Sequence, residues 1–184
     1  MARVSQVIVL AEDERQQRFV RYYLGKLSYT AHDIRLEPLS SGRGSGEAWV
    51  RTRYPPAVEA YRARSGRAQT SLVVAIDADT RDVTRRAGQL EESLASEGQS
   101  ARAAEERIVH LIPRRNIETW ILNLNGNPVD EQTDFRHAPR VDDLIDSAAQ
   151  TLFEWTRPNA AIPAFCVPSL RFAIPEIRRL EHQP

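Results

Sequence analysis

Two apolar runs, each broken by an acid, constrain this chain more than any other feature. Val7-Ile8-Val9-Leu10-Ala11 ends at Glu12, and Ser71-Leu72-Val73-Val74-Ala75-Ile76 ends at Asp77. Both are short, rich in β-branched residues and almost free of polar interruption, as expected of strands covered on both faces. A third run, Arg107 to Ile112, has the same character and is closed by Pro113. The segments between them carry helical spacing. Asp13 to Leu27 sets Phe19, Val20, Tyr23 and Leu24 on one face, and Val83, Ala87, Leu90 and Leu94 recur from a start near Thr80 up to Gly98. This alternation predicts an α/β fold, with a mainly parallel sheet of about four strands and helices on both faces.

The rest of the chain fills in around that frame. His32 to Leu39 alternates, with Ile34, Leu36 and Pro38 on one side, and predicts an outer strand. Ser40 to Gly46 is a glycine-rich loop. Glu47 to Arg53 has helical character, but Pro55-Pro56 predicts a break there and a new helix from about Ala57 to Arg64. Asn116 is expected to cap a helix bearing Ile117, Trp120, Ile121 and Leu124, with Gly126 as its stop. Residues 127–140 read as a loop, and Val141 to Trp155 and about Ser169 to Leu180 as helices. The expectation is one domain of 184 residues, with a core over about 4–125 and a helical C-terminal extension over about 141–181.

Composition removes several function classes. The formal net charge is zero, so no global field draws the protein to nucleic acid and any such binding needs a local patch. Arg43, Arg51 and Arg53, with Arg62, Arg64 and Arg67 nearby, form the candidate track for a nucleic-acid backbone. Solvated helix faces are the plainer account of the same charges. Lys26 is the only lysine; an arginine bias suits phosphate recognition and equally follows from a GC-rich genome. The Ser40 to Gly46 loop lacks the lysine and spacing of a P-loop, which excludes nucleotide hydrolysis by that motif. Cys166 stands alone, so an internal disulfide and a multi-cysteine zinc site are both excluded. The first apolar run is too short for a signal peptide core or a membrane span, and a cytoplasmic protein is expected.

The acids at the strand ends carry the chemistry. In an open parallel sheet, ligands bind beyond the carboxyl ends of the strands, and Glu12 and Asp77 are each the first polar residue past such an end. Asp77-Ala78-Asp79 places two carboxylates one residue apart. With Glu12 they make a hard oxygen cup suited to Mg²⁺ or Mn²⁺. A purely structural account also exists. Asp77 could cap the helix near Thr80, and Glu12 or Asp13 could favour the start of the next helix through its dipole.

An acid after the first strand followed by Asp-x-Asp after a later buried strand resembles the TOPRIM domain of topoisomerases, primases and OLD-type nucleases. It resembles most closely the small stand-alone TOPRIM-like proteins encoded beside ATPases in bacterial anti-phage loci, which carry a segment like Ile112-Pro113-Arg114-Arg115-Asn116-Ile117-Glu118-Thr119-Trp120. The resemblance implies Glu12 as general acid/base or metal ligand, Asp77 and Asp79 as metal ligands, and Glu118 as an additional acid. Its implied activity is Mg²⁺- or Mn²⁺-dependent cleavage of nucleic-acid phosphodiesters, in a defence system with a partner ATPase. The usual third acid falls at Arg81, and Arg114 or Arg115 stands where some relatives use a lysine. Ser169-Leu170-Arg171 resembles a recurring tail of the same proteins. Two other classes stay open: a non-catalytic subunit with a degraded site, for which Arg81 speaks, and a receiver-like domain in which Asp77 would accept a phosphoryl group.

Overall fold

The computed structural model describes residues 5–42, 44–66, 68–79 and 82–180. Among them, β1 (Ser5–Ala11), β2 (Ile34–Leu36), β3 (Gln69–Ala75) and β4 (Ile108–Leu111) form one all-parallel sheet in the order β2-β1-β3-β4. Six α-helices accompany it: α1 (Glu14–Lys26), α2 (Gly46–Ser65), α3 (Val83–Ser96), α4 (Ile117–Leu124), α5 (Ile145–Thr156) and α6 (Pro168–Ile177). This is the predicted α/β fold, with the His32 to Leu39 segment supplying an edge strand as expected. No helix among the described residues is long and apolar enough to cross a membrane.

The pleat sorts the apolar runs between two cores. Val7, Val9, Ala11, Val73, Ala75, Val109 and Leu111 face α1, α4, α5 and α6. Ile8, Leu10, Leu72, Val74, Ile76 and Ile108 face α2 and α3. Both faces of these apolar runs therefore meet apolar neighbours, which is why the runs lack the alternation of a half-exposed strand. The C-terminal helices are integral to the first core rather than an appendage, since Leu152, Leu170 and Ile174 pack within it.

One expectation fails. Pro55 and Pro56 lie inside an unbroken α2, not between two helices. Each proline deprives the carbonyl four residues earlier of its amide partner. Those carbonyls belong to Arg51 and Thr52, which retain access to solvent. Pro55 itself is buried, and its own carbonyl accepts from Gln99 Nε2 at 2.8 Å. The expected start of the next helix at Thr80 lies outside the described residues; α3 begins at Val83, with Asp82 accepting from Thr84 N at 2.8 Å as its cap.

The outer edge of β4 is closed by side chains. Arg102 donates to the Ile108 carbonyl at 2.8 Å, Glu176 accepts from the His110 amide at 3.3 Å, and Arg102 and Glu176 pair with each other. Such an edge offers no free ladder to a second sheet. His110 is a core histidine as expected, sharing a 2.8 Å hydrogen bond with the Tyr54 hydroxyl, and burial keeps its pKa well below the usual 6.5. The Trp120 indole donates to Ser169 Oγ at 2.7 Å, so the Ile112 to Trp120 segment and the Ser169-Leu170-Arg171 segment meet in the core. Replacing Glu176 by Ala leaves the His110 amide and two arginines, Arg102 and Arg179, short of a partner. The expected result is a loss of about 2 kcal/mol, read as a lower urea midpoint with an unchanged slope.

Candidate functional site

The sheet order puts β1 and β3 at the point where connections diverge: β1 leads outward to β2, and β3 lies on its other side. A crevice opens at such a point beyond the strand ends. Register pairs Ala11 with Ala75, so Glu12 and Asp77 leave the sheet within one residue of each other. They interlock there. The Asp77 amide donates to Glu12 Oε2 at 3.0 Å. Gln16, fully buried on the first turn of α1, donates from Nε2 to Asp77 Oδ1 at 2.8 Å and accepts from the Glu12 amide at 3.0 Å. Asp13 accepts from the Gln16 amide at 2.8 Å and caps α1. The structural account therefore holds for Asp13, but Asp77 is not the cap of α3.

The other acids approach from both sides, already matched with arginines. Asp79, whose backbone is left-handed (φ 52°), accepts from Arg86 Nη2 at 3.3 Å, and Glu47 accepts from Arg86 Nη1 at 2.6 Å. Glu118 is buried and paired with Arg15, which also forms a two-point bridge to Asp142 at 3.0 Å for each bond. Among the described residues no arginine or lysine forms an ion pair with Glu12 or Asp77. Nor, among them, is any group of three His, Cys, Asp or Glu side chains disposed to hold a metal ion. Two adjoining carboxylates, with a third drawn toward Arg86, is the arrangement present.

The electrostatics follow from this sorting. Asp77 is 3% exposed, and its pKa is raised well above 3.8, first by burial and then by Glu12, Asp13, Glu118 and Asp79. Glu12 is raised from 4.5 to about 7, chiefly by burial; the Asp77 amide opposes the rise, and Asp79 and Asp13 add to it. Among the described residues neither carboxylate has a positive partner at bonding distance, and both hold protons more tightly than solvent-exposed acids do.

The arginines expected near the chemistry are distributed otherwise. The Ala78 amide donates to the Pro113 carbonyl at 2.8 Å, which brings the loop after β4 to the same edge as Asp77. Within that loop Arg114 is exposed and Arg115 reaches Asp134 at 3.4 Å. On α2, Arg51 pairs with Glu47, and Arg53 pairs with Glu37 while lying over the Trp49 ring. Arg62 is taken up by Glu106 and Arg64 by Gln6. Arg43, Arg67 and Arg81 lie outside the described residues.

Sequence reasoning missed Gln16, Gly46 and Arg86. Gln16 shares the buried face of α1 with Phe19, Val20 and Tyr23, and Arg86 that of α3 with Leu90 and Leu94. A polar residue on an apolar stripe was the available signal. Gly46 opens α2 directly against Glu12; a Cβ there would sit 2.8 Å from the Glu12 carbonyl oxygen and closer still to its Cγ. Compared with protein-family models, with curated proteins and with solved structures, the chain matches none.

Two outcomes follow for the metal-free protein. Gly46→Ala forces backbone against Glu12 and should cost about 1–3 kcal/mol, whereas Gly42→Ala and Gly44→Ala, which meet open space, should leave the urea midpoint nearly unchanged. The raised Glu12 pKa also has a definite sign. Between 4.5 and about 7 the folded state keeps a proton that the unfolded chain has released, so this group's contribution to stability falls as pH rises through that window. With chelator present, the stability of Glu12→Gln relative to wild type should increase by about 2 kcal/mol from about pH 4 to about pH 8. A constant difference across that range would show that Glu12 titrates normally.

Proposed function

We propose that this chain is a TOPRIM-type phosphodiesterase that uses Mg²⁺ or Mn²⁺ to cut nucleic acid, acting in a bacterial defence system with a partner ATPase. The observation that supports this reading is the adjacent pair of half-buried Glu12 and buried Asp77 at the switch point, raised in pKa and, among the described residues, without an ion-paired cation. Buried carboxylates of that kind call for a cation, and the donor set fits one. Mg²⁺ is commonly held by one or two carboxylates, keeping waters and substrate phosphates as its other ligands.

Glu12 and Asp77 would hold the ion, with Asp79 adding negative charge beside them. A bound ion supplies Lewis acidity toward a phosphoryl oxygen and lowers the pKa of the attacking water. The protein's own share is positioning. Gln16 orients the Asp77 carboxylate, the Asp77 amide orients Glu12, and the close approach of Gly46 brings the amino end of α2 to the site, where its dipole favours an anionic phosphate. Glu12 is the carboxylate placed beside the ion to accept the proton of the attacking water. Glu118, paired with Arg15, is the additional acid of the site. Arg114, exposed at the same edge, is the cation available to offset charge on the phosphate in the transition state.

A non-catalytic subunit is the second reading, and the engagement of Asp79 and Glu118 by arginines favours it. Mn²⁺ titration of the metal-free chain separates the two. The phosphodiesterase reading expects binding by the wild type and its loss in both Glu12→Gln and Asp77→Asn, each still folded by circular dichroism. Divalent-dependent cleavage of DNA or RNA should fall at least 100-fold in both variants. Cleavage at the wild-type rate by both would end the nuclease reading.

A further inference from the structure

Trp49 is a large aromatic ring that the packing of the two cores does not use. Trp120 and Trp155 lie in the first core, whereas Trp49 belongs to neither and is half-buried on the first turn of α2. Its orientation is nonetheless fixed. The indole Nε1 donates to the Pro38 carbonyl at 3.1 Å, and the Arg53 guanidinium, one turn further on, lies 5.5 Å from the ring centroid. The same loop is held from α1, where Gln17 Nε2 donates to the Glu37 carbonyl at 2.7 Å. Glu37 and Pro38 follow directly on β2, whose Leu36 pairs with Val9 of β1, so the ring stands at the same end of the sheet as Glu12. Gly46, which packs against Glu12, precedes Trp49 by three residues, on nearly the same side of the helix and about 4.5 Å away along its axis. The charges around the ring suit a polyanion. Glu37 is bridged by Arg35 at 3.2 Å and Arg53 at 3.4 Å, and Glu47 by Arg51 at 2.8 Å and Arg86 at 2.6 Å, so arginines outnumber the acids of this wall.

We propose that Trp49 is a stacking platform for an unpaired base, and that the substrate of the Glu12–Asp77 site is single-stranded nucleic acid. This rests on the phosphodiesterase reading above and names its substrate class. A tryptophan ring held outside the core offers a π-face, and every base has a π-face to match it, whatever the sequence. Inside a duplex both faces of a base are occupied by its neighbours, whereas the bases of a single strand can splay onto an aromatic side chain. Arg53 adds cation–π attraction at the ring, and the arginine surplus around it favours the backbone phosphates. The ring thus holds a base while the start of α2 brings the strand to Glu12. A Trp49 that only fastened α2 to the Glu37–Pro38 loop would affect folding without distinguishing paired from unpaired strands.

The test is the affinity of the full chain, with chelator present, for labelled strands of equal length: a single-stranded oligonucleotide, its duplex, and an abasic strand. The single strand should bind about 10-fold more tightly, or better, than either of the others, and should quench tryptophan emission. Trp49→Ala should lose about 10–100-fold on the single strand, and the quenching with it, while its affinity for the abasic strand stays within about twofold. Trp49→Phe, which keeps a ring, should retain most of the wild-type affinity. Equal wild-type affinity for all of these strands, or unchanged binding by Trp49→Ala, overturns the platform and leaves the phosphodiesterase reading standing. Failure of the wild type to bind the single strand overturns it too, and absence of Mn²⁺-dependent cleavage as well would take the phosphodiesterase reading with it. Should Trp49→Ala not fold, the wild-type comparison of normal with abasic strand decides, and equal affinities overturn the proposal.

Discussion

Asp77 is withdrawn from water at the end of a central strand, and a withdrawn carboxylate must either find partners or keep its proton. Among the described residues its bonded partner is the neutral amide of Gln16. The neighbouring Glu12 is satisfied in the same way, by the Asp77 backbone. Dipoles of this kind fix the geometry of an anion without cancelling its charge. The remaining charge sets the character of the whole crevice, because every other acid that approaches it, Asp79 or Glu118, pushes the pair further from ionisation unless a cation enters.

The fold makes this placement unavoidable. In an all-parallel sheet each strand runs into a helix start at the same edge. Asp13 caps α1, Gly46 opens α2, and Asp82 caps α3, so three positive helix ends flank two clustered carboxylates. Parallel strands also need cover on both faces, and the two apolar cores that provide it push the acids Glu12 and Asp77 to the strand ends. The C-terminal helices complete one of these cores and close the edge of β4, which leaves the crevice above β1 and β3 as the place where buried charge is concentrated.

Much of this was legible in residues that act on their near neighbours. The strand runs, the Asn116 cap, the stop at Gly126 and the core placement of His110 and Trp120 all follow from short-range periodicity and hydrogen-bonding habit. The Pro55-Pro56 break did not hold, because α2 is kept helical by the core side of the helix, where Val50, Tyr54 and Val58 are buried, while Arg51 and Thr52, whose carbonyls lose their partners, are not buried. Tertiary packing outweighed a local rule. Gln16 and Arg86 were hidden for a related reason: each falls on an apolar stripe, and a stripe shows which face is buried without saying what a lone polar member will meet there.

The amino-acid order alone determined that acids would stand at the carboxyl ends of buried strands, since an apolar run ending at a carboxylate permits little else once the sheet is parallel. Which acids are neutralised was decided only by the folded chain. Glu118 meets Arg15 across 103 positions and Arg86 meets Glu47 across 39, while Glu12 and Asp77, 65 positions apart, meet each other. Coulomb energy depends on distance in space, and packing of helices against the sheet sets those distances; no local pattern in the sequence carries them.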